Sequence, residues 1–163
     1  MANWCSNIIE FTGDAQQLES LKSLFDDMAL KEKETRHGQL PDFIAGEQGG
    51  YFFETAWENH ILHYETKWSP NIDIVTEIAD RYGVDFTYSY SEPGMCIFGE
   101  ATYKDGLLTD IYLDDQDYEQ INYDEEREEY QFEGETYDSD YEILETLLER
   151  KKDDSRQQGY PKR

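Results

Sequence analysis

Basic residues are scarce in this chain. Against 38 Asp and Glu stand 14 Lys and Arg, a formal charge of -24 over 163 residues. Such a balance opposes contact with phosphate backbones and anionic membrane surfaces, so a charged partner should itself be basic. Cysteine is nearly missing too. Cys5 and Cys96 are too few for a disulfide framework and are expected to be free thiols. No stretch approaches the roughly 20 apolar residues of a membrane helix. The opening MANWCSNIIEF has neither a basic n-region nor an apolar run long enough for a signal peptide, and the expected compartment is the cytosol.

Aromatics, by contrast, are plentiful: 13 Tyr, 8 Phe and 3 Trp. Disordered chains are poor in such residues, which points to a folded domain carrying a heavily charged region.

The pattern along the chain is legible in pieces. SNIIEFTG reads as a strand. Asp14 then stands where a carboxylate caps a helix whose stripe is Leu18, Leu21, Leu24, Phe25 and Met28. Residues 31–50 lose the period and read as a Gly-rich loop or insertion. Residues 51–68 read as a hairpin turning at Glu58-Asn59, with Leu62, Tyr64, Thr66 and Trp68 on its core side. A second helix follows, with Ser69 as its expected N-cap, Pro70 in its first turn and Gly83 as its stop. Val84, Phe86, Tyr88 and Tyr90 alternate through a fourth strand.

This βαββαβ order predicts an α+β fold, a ferredoxin-like antiparallel sheet with two helices on one face. Residues 95–115 add a hairpin turning at Lys104-Asp105-Gly106, and short β runs are expected around Ile121 and Tyr130. SDYEILETLLERKK ends the ordered chain as a helix with Tyr141, Leu144, Leu147 and Leu148 on one face. The expected division is 1–113 for the ferredoxin-like domain with its hairpin, 114–152 for an acidic extension packed on it, and 153–163 for a disordered tail.

NWCSN at residues 3–7, WSP at 68–70 and SEPGMCIFGE at 91–100 resemble a bacterial, plasmid and phage family known as the YubB ferredoxin-like or Api-type family. The resemblance covers about residues 1–113. It implies the same fold, a mobile-element or phage context and a small accessory protein, and it brings no catalytic residues with it.

Enzyme chemistry finds little support. Cys5 and Cys96, at strand ends that a ferredoxin-like sheet makes neighbours, lack the electropositive setting that a reactive thiol requires. Glu92 and Glu100 flank a PGMC turn, but carboxylate pairs arise by chance in so acidic a chain. A thiol or carboxylate enzyme using Cys5, Cys96 or Glu92 is the alternative reading. His60 and His63, three apart on a strand, face opposite ways and make a poor zinc pair, while His37 lies in the Gly-rich loop. A calcium loop starting at Asp115 would need Gly where Gln120 stands. No metal or cofactor is expected.

What remains is the charge itself. Residues 110–149 hold 17 acidic residues and one basic residue, Arg127. The candidate partner-binding residues are Asp114, Asp115, Asp117, Glu119, Asp124, Glu125, Glu126, Glu128, Glu129, Glu133 and Glu135. Tyr118, Tyr123, Tyr130, Phe132, Tyr137 and Tyr141 would anchor them or touch the partner. The predicted function is a non-catalytic interaction protein binding a basic protein, in its sharpest form as a DNA mimic for a nucleic-acid-binding host protein. The competing reading makes the region a charged extension that serves solubility and has no charge-read partner.

Overall fold

The computed structural model describes residues 3–46 and 49–157. The chain divides into two compact units, residues 1–110 and 111–163.

The first unit is built on β1 (Trp4–Thr12), α1 (Ala15–Thr35), β2 (Phe53–Glu58), β3 (Ile61–Lys67), α2 (Ile72–Tyr82), β4 (Asp85–Glu92) and β5 (Ile97–Lys104), with β6 (Leu107–Tyr112) leading out of it. Strand order across the sheet is β2-β3-β1-β4-β5-β6. The βαββαβ part therefore places β1 and β3 at its centre, and the hairpin continues the sheet past β4. The fold is the α+β ferredoxin-like arrangement. Asn7 pairs with Tyr64 on one side and Tyr90 on the other, both antiparallel.

One face of this sheet meets both helices. Ile9, Phe11, Leu62, Tyr64, Phe86, Tyr88 and Tyr103 point inward to Leu21, Phe25 and Met28 of α1 and Val75, Ile78 and Ala79 of α2. The other face is largely exposed along β1, where Trp4, Ser6, Ile8 and Glu10 alternate with buried Cys5, Asn7, Ile9 and Phe11. Phe25 packs against Phe11, Phe52 and Trp57 at ring separations of 5.6–6.1 Å, an aromatic cluster within the core.

Local chemistry explains most of the boundaries. Asp14 and Gln17 form a reciprocal cap on α1, each side chain taking the other's backbone N–H. Three tight turns each put two successive residues at positive φ, the conformation that follows strand twist: Asn59-His60, Asp105-Gly106 and Glu133-Gly134.

Several expectations need correction. Helix α1 runs to Thr35, because KEKET, although almost without apolar residues, is rich in good helix formers. The first hairpin turns at Asn59-His60, one residue later than Glu58-Asn59. Trp68 is not on the core side; it sits at φ 71 with its ring half exposed. The N-cap position of α2 is Asn71, not Ser69, and its side chain makes no capping bond.

That side chain is used elsewhere. Tyr64 O–H donates to Asn71 Oδ1 at 2.6 Å, Tyr88 O–H donates to Asn7 Oδ1 at 2.7 Å, and Asn71 N–H donates to the Tyr88 oxygen at 3.2 Å. Asn7 Nδ2 reaches Thr66 Oγ1 and the Cys5 carbonyl, both at 3.0 Å, and Asn71 Nδ2 reaches the Gly50 carbonyl at 2.9 Å. A buried polar network thus ties β1, β3 and β4 to the start of α2 and to the segment before β2. Burial without partners would be costly for each of these groups, and here each has one.

Gly50 shows how close that segment comes to α2. It adopts φ 79, and a Cβ on it would lie 2.3 Å from Ile74 Cδ1; at Gly49, also φ 79, no atom of the described residues would lie within 4 Å. Gly49→Ala should therefore cost about 1 kcal/mol, the backbone strain alone, and Gly50→Ala about 2–3 kcal/mol once the steric part is added. Thermal unfolding of both variants checks this; equal losses would mean Ile74 yields freely.

The second unit begins with Ile111 and holds α3 (Asp115–Tyr118), the three-stranded antiparallel meander β7 (Asn122–Asp124), β8 (Glu129–Phe132) and β9 (Glu135–Tyr137), and α4 (Tyr141–Gln157). On α4 the buried residues are Ile143, Leu144, Leu147 and Leu148, with Tyr141 exposed, which shifts the expected stripe by replacing Tyr141 with Ile143. Residues 153–157, expected to belong to a disordered tail, continue the helix; the rest of that tail, 158–163, lies outside the described residues. Among the described residues no helix is long and apolar enough to cross a membrane.

Candidate interaction surface

The acidic meander is a folded surface. Tyr130 pairs across the strands with Tyr123 on one side and Tyr137 on the other, and the Tyr123 and Tyr130 rings are 4.8 Å apart. This tyrosine row gives three very short strands a shared apolar stripe, which charge alone could not provide. Phe132 is buried, with the Arg150 guanidinium 5.5 Å above its ring.

The eleven candidate carboxylates separate into two groups. Five are engaged inside the unit. Asp114 and Asp117 cap α3 reciprocally and share the Lys151 ammonium, at 3.1 and 2.6 Å. The bond from Lys151, helped by the Asp117 N–H, holds the Asp114 carboxyl below its ordinary range. Glu133 forms a two-point bond with Arg150 at 2.7 and 3.0 Å, and that guanidinium likewise lowers its pKa. Asp124 accepts the N–H groups of Glu126 and Arg127, shaping the β7–β8 turn, and half-buried Glu129 lies 3.7 Å from Arg127. These carboxylates hold the unit together as much as they face solvent.

The other six are Asp115, Glu119, Glu125, Glu126, Glu128 and Glu135, all exposed and without an ion pair among the described residues. Three of them sit together on the β7–β8 turn, where Glu128 takes a positive φ of 53. The basic end of α4 also changes the charge account. Residues 111–163 hold 18 acidic and 7 basic residues, a net -11, whereas residues 1–110 hold 20 and 7, a net -13. The excess is spread over both units.

The enzyme candidates look different in place. Cys5 lies inside β1 and is fully buried; burial is the main reason that its thiol is pushed up to about 11, the opposite of the shift that activates a thiol. Cys96 is exposed, in a left-handed position after the 3₁₀ turn Pro93–Met95. Glu92 is 5% exposed, and its Oε1 accepts the Gly94 N–H at 3.0 Å. That bond is turn chemistry; Oε2 is buried without a hydrogen-bond partner among the described residues. His60 stands in the β2–β3 turn and His63 is exposed on β3. Among the described residues no three His, Cys, Asp or Glu side chains converge as metal ligands would.

The first unit has its own concave feature. A groove of about 920 Å³ is lined by residues 43–45, 49–51 and 53 and by the β3–α2 junction, where Tyr51 and Trp68 are 40% and 49% exposed. Periodicity missed it, because the alternation along β3 assigns Trp68 to the core. The one local signal is WSP, where proline after two non-helical residues breaks the strand.

Residues 39–140 match the family described as the ferredoxin-like domain in Api92-like protein. No curated protein and no solved structure matches. The matched segment starts after α1 and continues through the whole meander, so it reaches past the 113 residues over which motifs carry the resemblance.

Proposed function

Because the chain belongs to the Api92-like ferredoxin-like family, with the acidic meander inside the matched segment, we propose that it is a non-catalytic interaction protein whose meander is read by a basic partner. The observation that carries this reading is the group of exposed, unpaired carboxylates centred on the β7–β8 turn, held on a folded strand pair. An acidic stretch serving solubility alone has no need of a tyrosine row and a capped turn to position it.

In the setting that the sequence resemblance implies, a bacterial mobile element or phage, the partner is a basic, nucleic-acid-binding host protein. The carboxylates then stand where phosphates would. Duplex DNA carries about one charge per 1.7 Å of axis, and a protein that releases counterions from DNA can release them from a carboxylate row as well.

The test is capture of a basic protein from bacterial lysate, with excess duplex DNA as competitor and over a series of salt concentrations. Replacing Glu125, Glu126, Glu128 and Glu129 by Gln should weaken capture at least tenfold and reduce the salt slope by roughly 3–4. A control set, Glu19→Gln, Asp27→Asn, Glu34→Gln and Glu58→Gln, removes the same charge from the other unit and should change capture little. Equal effects of the two sets would reduce the surface to net charge; no effect of either would overturn the reading.

A further inference from the structure

We infer that the groove beside Trp68 docks an extended segment of a basic partner chain, with an arginine or lysine placed between the groove's aromatic rings and its two carboxylates. The inference rests on the basic-partner reading above but concerns a separate surface in the other unit.

Three observations lead to it. The first is Trp68. A bulky residue at φ 71 is costly, and such strain persists only where the surroundings enforce it. Here the Trp68 N–H is fixed on the Asn3 carbonyl at 2.7 Å, and the result is an indole held out into the groove instead of one packed in the core. The second is Tyr51, which also lines the groove and is steadied by its hydroxyl on the Gly46 carbonyl at 3.2 Å.

The third is charge. Asp73 and Glu77 lie one helical turn apart on α2, exposed at the groove and without an ion pair among the described residues. The groove's own cation, Lys67, is already placed, its ammonium 5.2 Å from the Phe53 ring and 5.9 Å from the Trp4 ring. The same chemistry recurs at Phe43, which carries the Arg81 guanidinium 4.2 Å above its ring. What Trp68, Tyr51, Asp73 and Glu77 leave unfilled is a place for one more cation: aromatic faces attract it through their quadrupole, and the carboxylates select it over a neutral side chain of equal size. The volume is that of a ligand cleft, in the general range of about 300–1,000 Å³, and the flanking Ile44, Ile72 and Ile74 suit apolar neighbours of the cation.

The probe is N-acetyl-Leu-Arg-Leu-amide, titrated into the full-length protein while the indole N–H resonance of Trp68, assigned with Trp68→Phe, is followed by NMR. A saturable shift is expected, with norleucine or glutamate in place of arginine binding roughly tenfold weaker or not at all. Asp73→Asn with Glu77→Gln should weaken the arginine peptide by a similar roughly tenfold factor while leaving the fold's spectrum intact. No saturable shift at millimolar peptide, or equal binding of the norleucine peptide, overturns the inference. The four-glutamate variant of the β7–β8 turn separates the two readings. It should bind the peptide normally even though partner capture is lost, so peptide binding with no turn effect on capture defeats the functional reading alone, and the converse defeats the groove alone.

Discussion

Tyr88→Phe should lower the stability of the first unit by about 2–4 kcal/mol, although it removes one oxygen atom and no apolar volume. The phenol oxygen donates to Asn7 Oδ1 and accepts from Asn71 N–H. Without it the buried Asn71 N–H loses its partner and Asn7 Oδ1 keeps only the weak bond from the Cys5 thiol at 3.7 Å, and an unsatisfied buried group costs about 1–3 kcal/mol. The Tyr64 O–H keeps Asn71 Oδ1 in either case. Tyr64→Phe should cost less, about 0.5–1.5 kcal/mol, because only Asn71 Oδ1 loses a donor and the single Tyr88 proton, 3.0 Å from it, can turn to it while Asn7 Oδ1 keeps the Cys5 thiol at 3.7 Å. Urea unfolding measures both. The ordering is what tests the account: equal midpoints for the two variants would mean that the network tolerates either loss and does not bear the load assigned to Tyr88.

The same buried groups should make the protein sensitive to alkali. The Cys5 thiol, ordinarily near 9, is raised to about 11 by burial, and burial raises Tyr64 and Tyr88 above the ordinary 10 of a phenol. In each case the folded state holds the proton more tightly than the unfolded chain does. The stability is intact below the unfolded pKa and is lost as pH rises through the folded one. For Cys5 the loss falls between pH 9 and 11 and reaches at most about 2–3 kcal/mol, at 1.36 kcal/mol per unit. The tyrosines add to it from about pH 10 upward. A urea midpoint that is flat to about pH 9 and falls steeply beyond pH 10 is the expected profile, with Cys5→Ala removing its first part. A midpoint unchanged to pH 11 would mean that the thiol and phenols are not shielded as described.

How far this structure was readable beforehand depends on the range of the interaction concerned. The Asp14 cap, the Gly83 stop and the Asp105-Gly106 turn are set by three or four consecutive residues, and all occur where the sequence puts them. The alternation through Tyr88 and Tyr90 and the stripe from Leu18 to Met28 likewise survive intact. The start of α2 was not readable, because Asn71 gives up its capping role to bond Tyr64 and Gly50, 7 and 21 residues away. The end of α1 is hidden from the sequence for another reason: KEKET lacks the apolar period that a helix shows only where one of its faces is buried.

The acidic surface divides in the same way. The excess of carboxylates between Asp110 and Glu149 is plain in the sequence, and so is the family resemblance that accompanies it. Which carboxylates face a partner is not. Lys151 reaches back 34 and 37 residues to Asp117 and Asp114, and Arg150 reaches 17 residues to Glu133. These pairings depend on the path of the chain through the meander and into α4, which no local pattern encodes. The sequence by itself determined the fold class, the order of elements and the sign of the charge, because periodicity, turn chemistry and composition act along the chain. The tertiary structure decided which charges are left unpaired, why Tyr88 and Asn7 are buried together, and that Trp68 faces a groove, because each of these follows from contacts between residues that only folding brings within reach.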